Sequence, residues 1–228
     1  PRSMTGSAMP ERTASASPAA ARARAGLQSD SESRPYLRPS LRLSGIVEES
    51  IVDGPGLRFV LFTQGCPHGC KGCHNPETHS LEGGFIRDVD ELLAVYDENP
   101  LLAGVTFSGG EPFCQAEAFE NMGRKVKDRG LSLTVFSAVA DRVRARGGDV
   151  VTYTGYTYES LLARAERGDA SEIARLLELT DLLIDGPYLE ALRDLDLPFR
   201  GSSNQRLLDR EQRRQLARAA GKHATDAA

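Results

Sequence analysis

The sequence predicts an α/β fold, a partial (βα) barrel open along one side. Three observations carry that expectation. Short apolar runs bounded by turn residues alternate with stretches of helical periodicity from Arg58 onward, and repeated βα units place parallel strands inside and helices outside. The chain has 228 residues, of which 40% are hydrophobic. That suffices for one good-sized core but falls short of the ~250 residues a closed eight-unit barrel typically takes. Finally, the most unusual loops all follow strands, the end of a parallel array at which ligands are held.

Residues 1 to 40 are built from Ala, Ser, Arg, Pro and Gly with almost no branched apolar side chains, a composition that cannot repay the entropy of ordering and predicts a disordered tail. An Arg-rich start also suits an organelle transit peptide, but Glu11, Asp30 and Glu32 and the lack of an amphipathic stripe favour a plain tail.

Arg58 to Thr63 (RFVLFT) reads as a short buried strand, and Asp88 to Glu98 as a helix with Val89, Leu92, Leu93 and Tyr96 on one face. Gly104 to Ser108 is a second strand, Ala116 to Arg129 a second helix, and Asp149 to Thr154 a third strand. Leu131 to Val135 alternates like a strand, yet Leu133, Phe136, Ala140 and Val143 share one helical face. A helix running to Arg146 and stopped by Gly147-Gly148 is the better reading. Thr157 to Arg167 and Ser171 to Leu179 are helices, and Asp181 to Asp185 a further strand. The basic run Arg210 to Arg218 reads as a solvated terminal helix, so the expected organisation is a tail over 1–40, a folded domain over 41–209 and a basic helix or tail over 210–228.

Between the first strand and first helix lies Cys66-Pro67-His68-Gly69-Cys70-Lys71-Gly72-Cys73-His74. Three thiolates in one compact loop can hold three irons of a [4Fe-4S] cluster and leave the fourth iron without a protein ligand. A zinc site remains open on spacing alone, with His68, His74 or His79 as a fourth ligand, although the second paired arm of a usual zinc site is missing. Disulfides do not fit: three of the four cysteines fall within eight residues and Cys114 sits apart in an apolar segment. Cys114 reads as a small buried apolar residue. The chain is therefore expected to be reduced and cytoplasmic. It has no secretory core and no apolar run of the ~20 residues a membrane helix needs. A net charge of −4 argues against general nucleic-acid binding, which needs a basic face.

Ser108-Gly109-Gly110-Glu111-Pro112 follows the second strand and Gly155-Tyr156 the third. Paired glycines let a backbone approach a ligand, and a neighbouring glutamate can accept from an ammonium group. Three separate stretches of sequence thus point at one site. His68 and His79 read as loop residues, and Tyr153, Tyr156, Tyr158 and Tyr188 as packing aromatics.

The three-cysteine spacing, the Gly-Gly-Glu-Pro turn and the βα alternation together resemble the radical S-adenosylmethionine enzymes, and the expected barrel is of that type. Val52-Asp53-Gly54-Pro55-Gly56-Leu57-Arg58-Phe59 is similar to the glycyl-radical-enzyme activases. Tyr153-Thr154-Gly155-Tyr156, Asp185-Gly186-Pro187 and Arg200-Gly201-Ser202-Ser203-Asn204-Gln205-Arg206 resemble the activating proteins of anaerobic ribonucleoside-triphosphate reductase. The resemblance covers about residues 43 to 209.

By that resemblance, Cys66, Cys70 and Cys73 ligate the cluster. Gly72, Cys73 and His74 border the nucleotide cofactor, and Ser108, Gly109, Gly110 and Glu111 hold the methionine amino end, with Asp53 and Asn75 as weaker candidates. The implied chemistry is reductive cleavage of S-adenosylmethionine to methionine and a 5′-deoxyadenosyl radical, which takes a Cα hydrogen from a glycine of the reductase. A flavodoxin or ferredoxin is the implied electron donor. Two alternatives stay open: activation of another glycyl radical enzyme such as pyruvate formate-lyase, and a non-catalytic iron–sulfur or zinc module. The spacing from Glu111 to Tyr153 exceeds that of the family, which implies an added helix within 131–148 that covers the site or meets the partner.

Overall fold

The computed structural model describes residues 40–114, 133–166 and 171–225. The expected tail up to residue 39 and the expected helix over 116–129 lie outside the described residues. Seven strands form one sheet among them: β1 (Ser40–Ser50), β2 (Arg58–Thr63), β3 (Phe85–Asp88), β4 (Gly104–Gly109), β5 (Asp149–Tyr153), β6 (Leu182–Asp185) and β7 (Arg206–Leu208), in the order β3-β1-β2-β4-β5-β6-β7. The helices are α1 (Val89–Glu98), α2 (Leu133–Ala145), α3 (Tyr158–Ala165), α4 (Ser171–Leu179) and α5 (Arg210–Thr225).

The central strands β2, β4, β5 and β6 are parallel, as alternating βα units require. On one edge β1 runs antiparallel to both β2 and β3, and on the other β7 runs antiparallel to β6. The sheet is therefore mixed and open. β1, β3 and β7 were not expected from the sequence. β1 carries two register shifts and mixes small and charged residues, while β3 and β7 have only four and three residues. Such edge strands are fixed by their pairing partners more than by their own composition.

Alternation along the strands sorts the two faces of the sheet. Phe59 and Leu61 of β2, Val105 and Phe107 of β4, Val150 of β5 and Leu183 of β6 belong to the same buried cluster as Leu92 and Leu93 of α1, Phe136 and Val143 of α2, Leu161 of α3 and Leu176 of α4. Phe107 meets Phe136 edge to face at 5.0 Å, the arrangement that aromatic quadrupoles favour. Helices α1 to α4 thus share one face of the sheet. The other set of strand residues, Phe62, Ser108 and Tyr153, lines a cavity.

Local signals start and stop these helices. The Asp88 carboxylate accepts from the Asp90 N–H at the start of α1, and Thr157 caps α3 by accepting from the Ser160 N–H, each satisfying a donor that the helix itself leaves orphaned. Helix α2 ends as the Gly147-Gly148 pair predicts. Gly147 has φ +81°, its N–H donates to Arg144, and the Gly148 N–H donates to Val143 at 3.1 Å, a Schellman closure. Phe136, Val139, Ala140 and Val143 of α2 are core residues. None of the described α2 side chains lines the cavity, and the helix packs on the sheet through these core residues.

The basic run at α5 is not wholly solvated. Arg213 is buried and donates to the carbonyls of Leu177 at 2.5 Å and of Thr180, while Arg210 donates to Asp181 at 2.9 Å. Cations at a helix C-terminus satisfy its orphan carbonyls and its dipole, and here they seat α5 on the end of α4. Among the described residues, no helix is long and apolar enough to cross a membrane.

Candidate cofactor site

The cavity holds about 710 Å³ and opens at the C-terminal ends of the parallel strands, where a ligand is expected in such a sheet. Cys66, Cys70 and Cys73 all line it, as do Ser108, Gly109 and Gly110 and, from the third loop, Thr154 and Gly155. The three stretches singled out from sequence therefore meet.

The cysteine loop is fixed at its base. Gln64 donates from its amide to the carbonyls of Glu77 at 3.1 Å and Ser80 at 2.6 Å, and the Gly65 N–H donates to Thr78 at 2.8 Å. A short 3₁₀ turn over Pro76–His79 closes the loop behind the last cysteine. Inside it the Cys73 N–H donates to Cys70 at 3.2 Å, and the Asn75 N–H approaches the Cys73 sulfur at 3.4 Å. Gly72 has φ +72°, and a Cβ there would lie 3.0 Å from the Glu190 carboxylate, so only glycine fits this turn without strain. On the outer side Lys71 pairs with Glu190 at 3.1 Å.

The thiols are partly buried and none is in a disulfide. Burial pushes the Cys66 thiol up to about 11. A hydrogen bond from the His68 backbone works the other way, and the neighbouring Glu111, Cys70 and Cys73 push it further up. As a metal ligand this thiol would bind in its deprotonated form. Three partly buried free thiols on one loop that line a common cavity are a donor set that suits three irons of one cluster. The residues present fit that group.

The Gly-Gly-Glu turn is tied to the cysteine loop through its backbone. Gly110 N–H donates to Thr63 and Glu111 N–H donates to Gly65, each at 2.9 Å. Ser108 stands beside Phe62 in the β2–β4 register. Glu111 is fully buried, and its carboxylate lies beneath the cavity wall. It accepts from the backbone N–H groups of Phe113 at 3.0 Å and Gly155 at 2.8 Å, from the Thr154 hydroxyl at 2.9 Å and from His68 Nε2 at 2.7 Å.

Four side chains that read from sequence as loop or packing residues also line the cavity: His68, His79, Tyr153 and Tyr188. Tyr188 packs on His74 with ring centroids 5.4 Å apart, and both line the cavity. Tyr153 also lines it, and burial raises its hydroxyl pKa, which keeps the phenol protonated. The Gly-Ser-Ser-Asn-Gln stretch has a structural part. Gln205 accepts from the Gly201 N–H at 2.9 Å and donates to Gly186 at 3.2 Å, while Asn204 donates to Pro187 at 2.7 Å. Asp53 lines the cavity, and the Ser50 hydroxyl donates to it.

A family model described as a 4Fe-4S single cluster domain matches residues 52–208. The anaerobic ribonucleoside-triphosphate reductase-activating protein of Vibrio cholerae is 33% identical over 161 residues, covering 68% of this chain and 89% of its own. That of Salmonella typhimurium is 32% identical over 161 residues, covering 68% of this chain and 90% of its own. The chain belongs to the anaerobic ribonucleoside-triphosphate reductase-activating protein family. A more partial likeness exists to the pyruvate formate-lyase-activating enzyme of Clostridium pasteurianum, 36% identical over 104 residues, or 42% of this chain and 43% of its own. The matched family model spans the three loops that meet at the cavity, from Val52 to Leu208.

Proposed function

We propose that this chain is a radical S-adenosylmethionine activase of anaerobic ribonucleoside-triphosphate reductase. The observation that carries the reading is the meeting, at one cavity, of the Cys66, Cys70 and Cys73 thiols with the Gly109-Gly110 backbone. When bound, a [4Fe-4S] cluster supplies the electron that cleaves S-adenosylmethionine to methionine and a 5′-deoxyadenosyl radical, which removes a Cα hydrogen from a glycine of the reductase.

Cys66, Cys70 and Cys73 hold the cluster, and Gly72 and His74 flank the nucleotide part of the cofactor. Ser108, Gly109 and Gly110 face the cavity, where their backbone meets the methionine amino end. Glu111 shapes that turn from below, because its oxygens already accept from four groups of the chain. The fold is read as an open (βα) barrel over 41–209, with the helix over 210–228 outside it. The one-sided packing of α1 to α4, which leaves the opposite strand face to the cavity, supports this. An open side admits a loop of another protein, and a bare glycine backbone can thread there. The reduced thiols and the chemistry suit the cytoplasm, with a flavodoxin or ferredoxin as the electron source.

The test is anaerobic incubation of the reconstituted protein with S-adenosylmethionine and reductant, first for 5′-deoxyadenosine and then with a candidate partner for a glycyl doublet by electron paramagnetic resonance. A doublet on the anaerobic ribonucleotide reductase alone is expected. The match to the pyruvate formate-lyase-activating enzyme makes that lyase the second partner to include. A doublet on the lyase alone transfers the assignment to it, and the absence of 5′-deoxyadenosine with a loaded cluster removes the activity.

A further inference from the structure

His68 sits midway between Cys66 and Cys70 on the cavity wall, and its ring reaches across to the Gly-Gly-Glu turn. Nε2 donates to the Glu111 carboxylate at 2.7 Å, and the His68 side chain is 17% exposed while that of Glu111 is fully buried. The ring lies edge to face on Tyr156 with centroids 4.5 Å apart, and the Arg164 guanidinium covers the other part of Tyr156 at 4.3 Å. Beneath it runs Gly155, where an added Cβ would come within 2.5 Å of the His68 ring. The loop after β5 is thus cut to the shape of this one imidazole.

Glu111 is where the three ligand-end loops join. One carboxylate takes donors from the cysteine loop (His68), from its own turn (Phe113 N–H) and from the loop after β5 (Thr154 hydroxyl and Gly155 N–H). A buried carboxylate persists only with such a set of donors. Loss of one leaves a buried acceptor short and moves the element that supplied it. The only side chain between Cys66 and Cys73 that contributes to the set is His68.

We infer that His68 is a positioning residue: through Glu111 it holds the cysteine loop at a fixed distance from the Gly109-Gly110 turn, so that a cofactor chelated at one end and cradled at the other spans both. The inference rests on the proposed function, because it is that function which requires one cofactor to reach both elements. Misplacement by about 1 Å between two such anchors costs on the order of a hundredfold in a positioned reaction. Glu111 acts in this scheme as the tie between loops rather than as an acceptor for the incoming ammonium group.

The test compares wild type, His68→Leu, His68→Gln and Gly155→Ala, each reconstituted anaerobically. The readouts are iron and sulfide content, S-adenosylmethionine affinity by calorimetry, and the change that S-adenosylmethionine induces in the electron paramagnetic resonance spectrum of the reduced cluster. His68→Leu is expected to keep its iron, to bind S-adenosylmethionine at least about tenfold more weakly and to lose most of the induced spectral change. His68→Gln, which restores a donor towards Glu111, is expected to recover much of both. Gly155→Ala displaces the ring without altering its chemistry and should reproduce the loss in affinity, which covers the case in which His68→Leu fails to fold. Unchanged affinity and spectrum in His68→Leu or, if that variant does not fold, in Gly155→Ala overturn the inference. Failure of the wild type to bind S-adenosylmethionine would instead overturn the function on which it rests.

Discussion

Arg206 on β7 grips the Asp185 carboxylate at the end of β6 with two arms of its guanidinium, Nε donating to Oδ1 at 2.8 Å and Nη2 to Oδ2. The pair joins two motifs that are separate in sequence, Asp185-Gly186-Pro187 and the stretch ending at Arg206. It also seats α3, because the Tyr158 N–H at the start of that helix donates to the same carboxylate at 2.7 Å. The Asp185 side chain is fully buried and that of Arg206 is 37% exposed, so the two partners are not equivalent. Arg206→Ala leaves a buried carboxylate with one backbone donor and is expected to cost about 2–3 kcal/mol, less than a fully buried pair because water reaches the cation. Thermal unfolding should show a fall of roughly 5–10 °C. Asp185→Asn should cost less, since Arg206 keeps Glu159 and solvent as partners. A larger loss in Asp185→Asn would contradict this ordering.

Glu159 adds a pH-dependent part to the same cluster. Its oxygens accept from Arg206 at 3.0 and 2.7 Å, and the hydrogen bond from Arg206 holds its carboxyl pKa below the ordinary 4.5. A carboxyl whose folded pKa is lowered contributes stability above its unfolded pKa and loses it as pH falls through the folded value. Glu159→Gln is therefore expected to melt a few degrees below wild type at neutral pH, in keeping with under about 1 kcal/mol for a largely exposed pair. The two melting curves should converge once the pH falls below that lowered folded value. A gap that persists in acid would mean that Glu159 acts through packing.

Legibility followed burial. The core strands could be read because RFVLFT and GVTFS are buried on both faces and show as unbroken apolar runs. Helix α2 could be read from Phe136, Ala140 and Val143 with the glycine pair behind them. β1, β3 and β7 could not, since pairing with residues far away in sequence holds these edges. At the site, the cysteine spacing and the paired glycines announced themselves by composition. The partner of Glu111 did not: a histidine two residues from a cysteine looks like any loop histidine until β2, β4 and β5 bring their ends together. The only sequence signal for it was Gly155, a glycine facing the ring.

Gly110 separates a steric role from a conformational one. A Cβ there would stand 2.4 Å from the Gly65 carbonyl oxygen and 2.9 Å from that of Thr63, so the clash is with the start of the cysteine loop itself. Gly110→Ala should lower both the melting temperature and the iron retained after reconstitution. Gly147→Ala meets no atom within 4 Å but keeps a φ of +81°, so it should cost only about 1 kcal/mol of strain and leave the iron unchanged. Equal iron content in the two variants would show that the approach of Gly110 to Gly65 does not matter to the cluster loop.

The four cysteines should divide three to one. Cys66, Cys70 and Cys73 face the cavity, whereas Cys114 is 7% exposed behind the Glu111 turn and does not line it. Replacement of any one of the first three by Ala removes a thiolate that no nearby cysteine can replace, and the brown chromophore or its reductive activity should be lost. Cys114→Ala removes a small apolar side chain and should cost about 1 kcal/mol in stability with iron content and cleavage nearly intact. Elemental analysis after anaerobic purification checks both. A single zinc and no iron in the wild type would make the loop a zinc site, and full cleavage activity in Cys70→Ala would remove the three-thiolate assignment. Loss of iron in Cys114→Ala at an unchanged melting temperature would instead bring the fourth thiol into the centre, at the expense of the open iron that the chemistry requires.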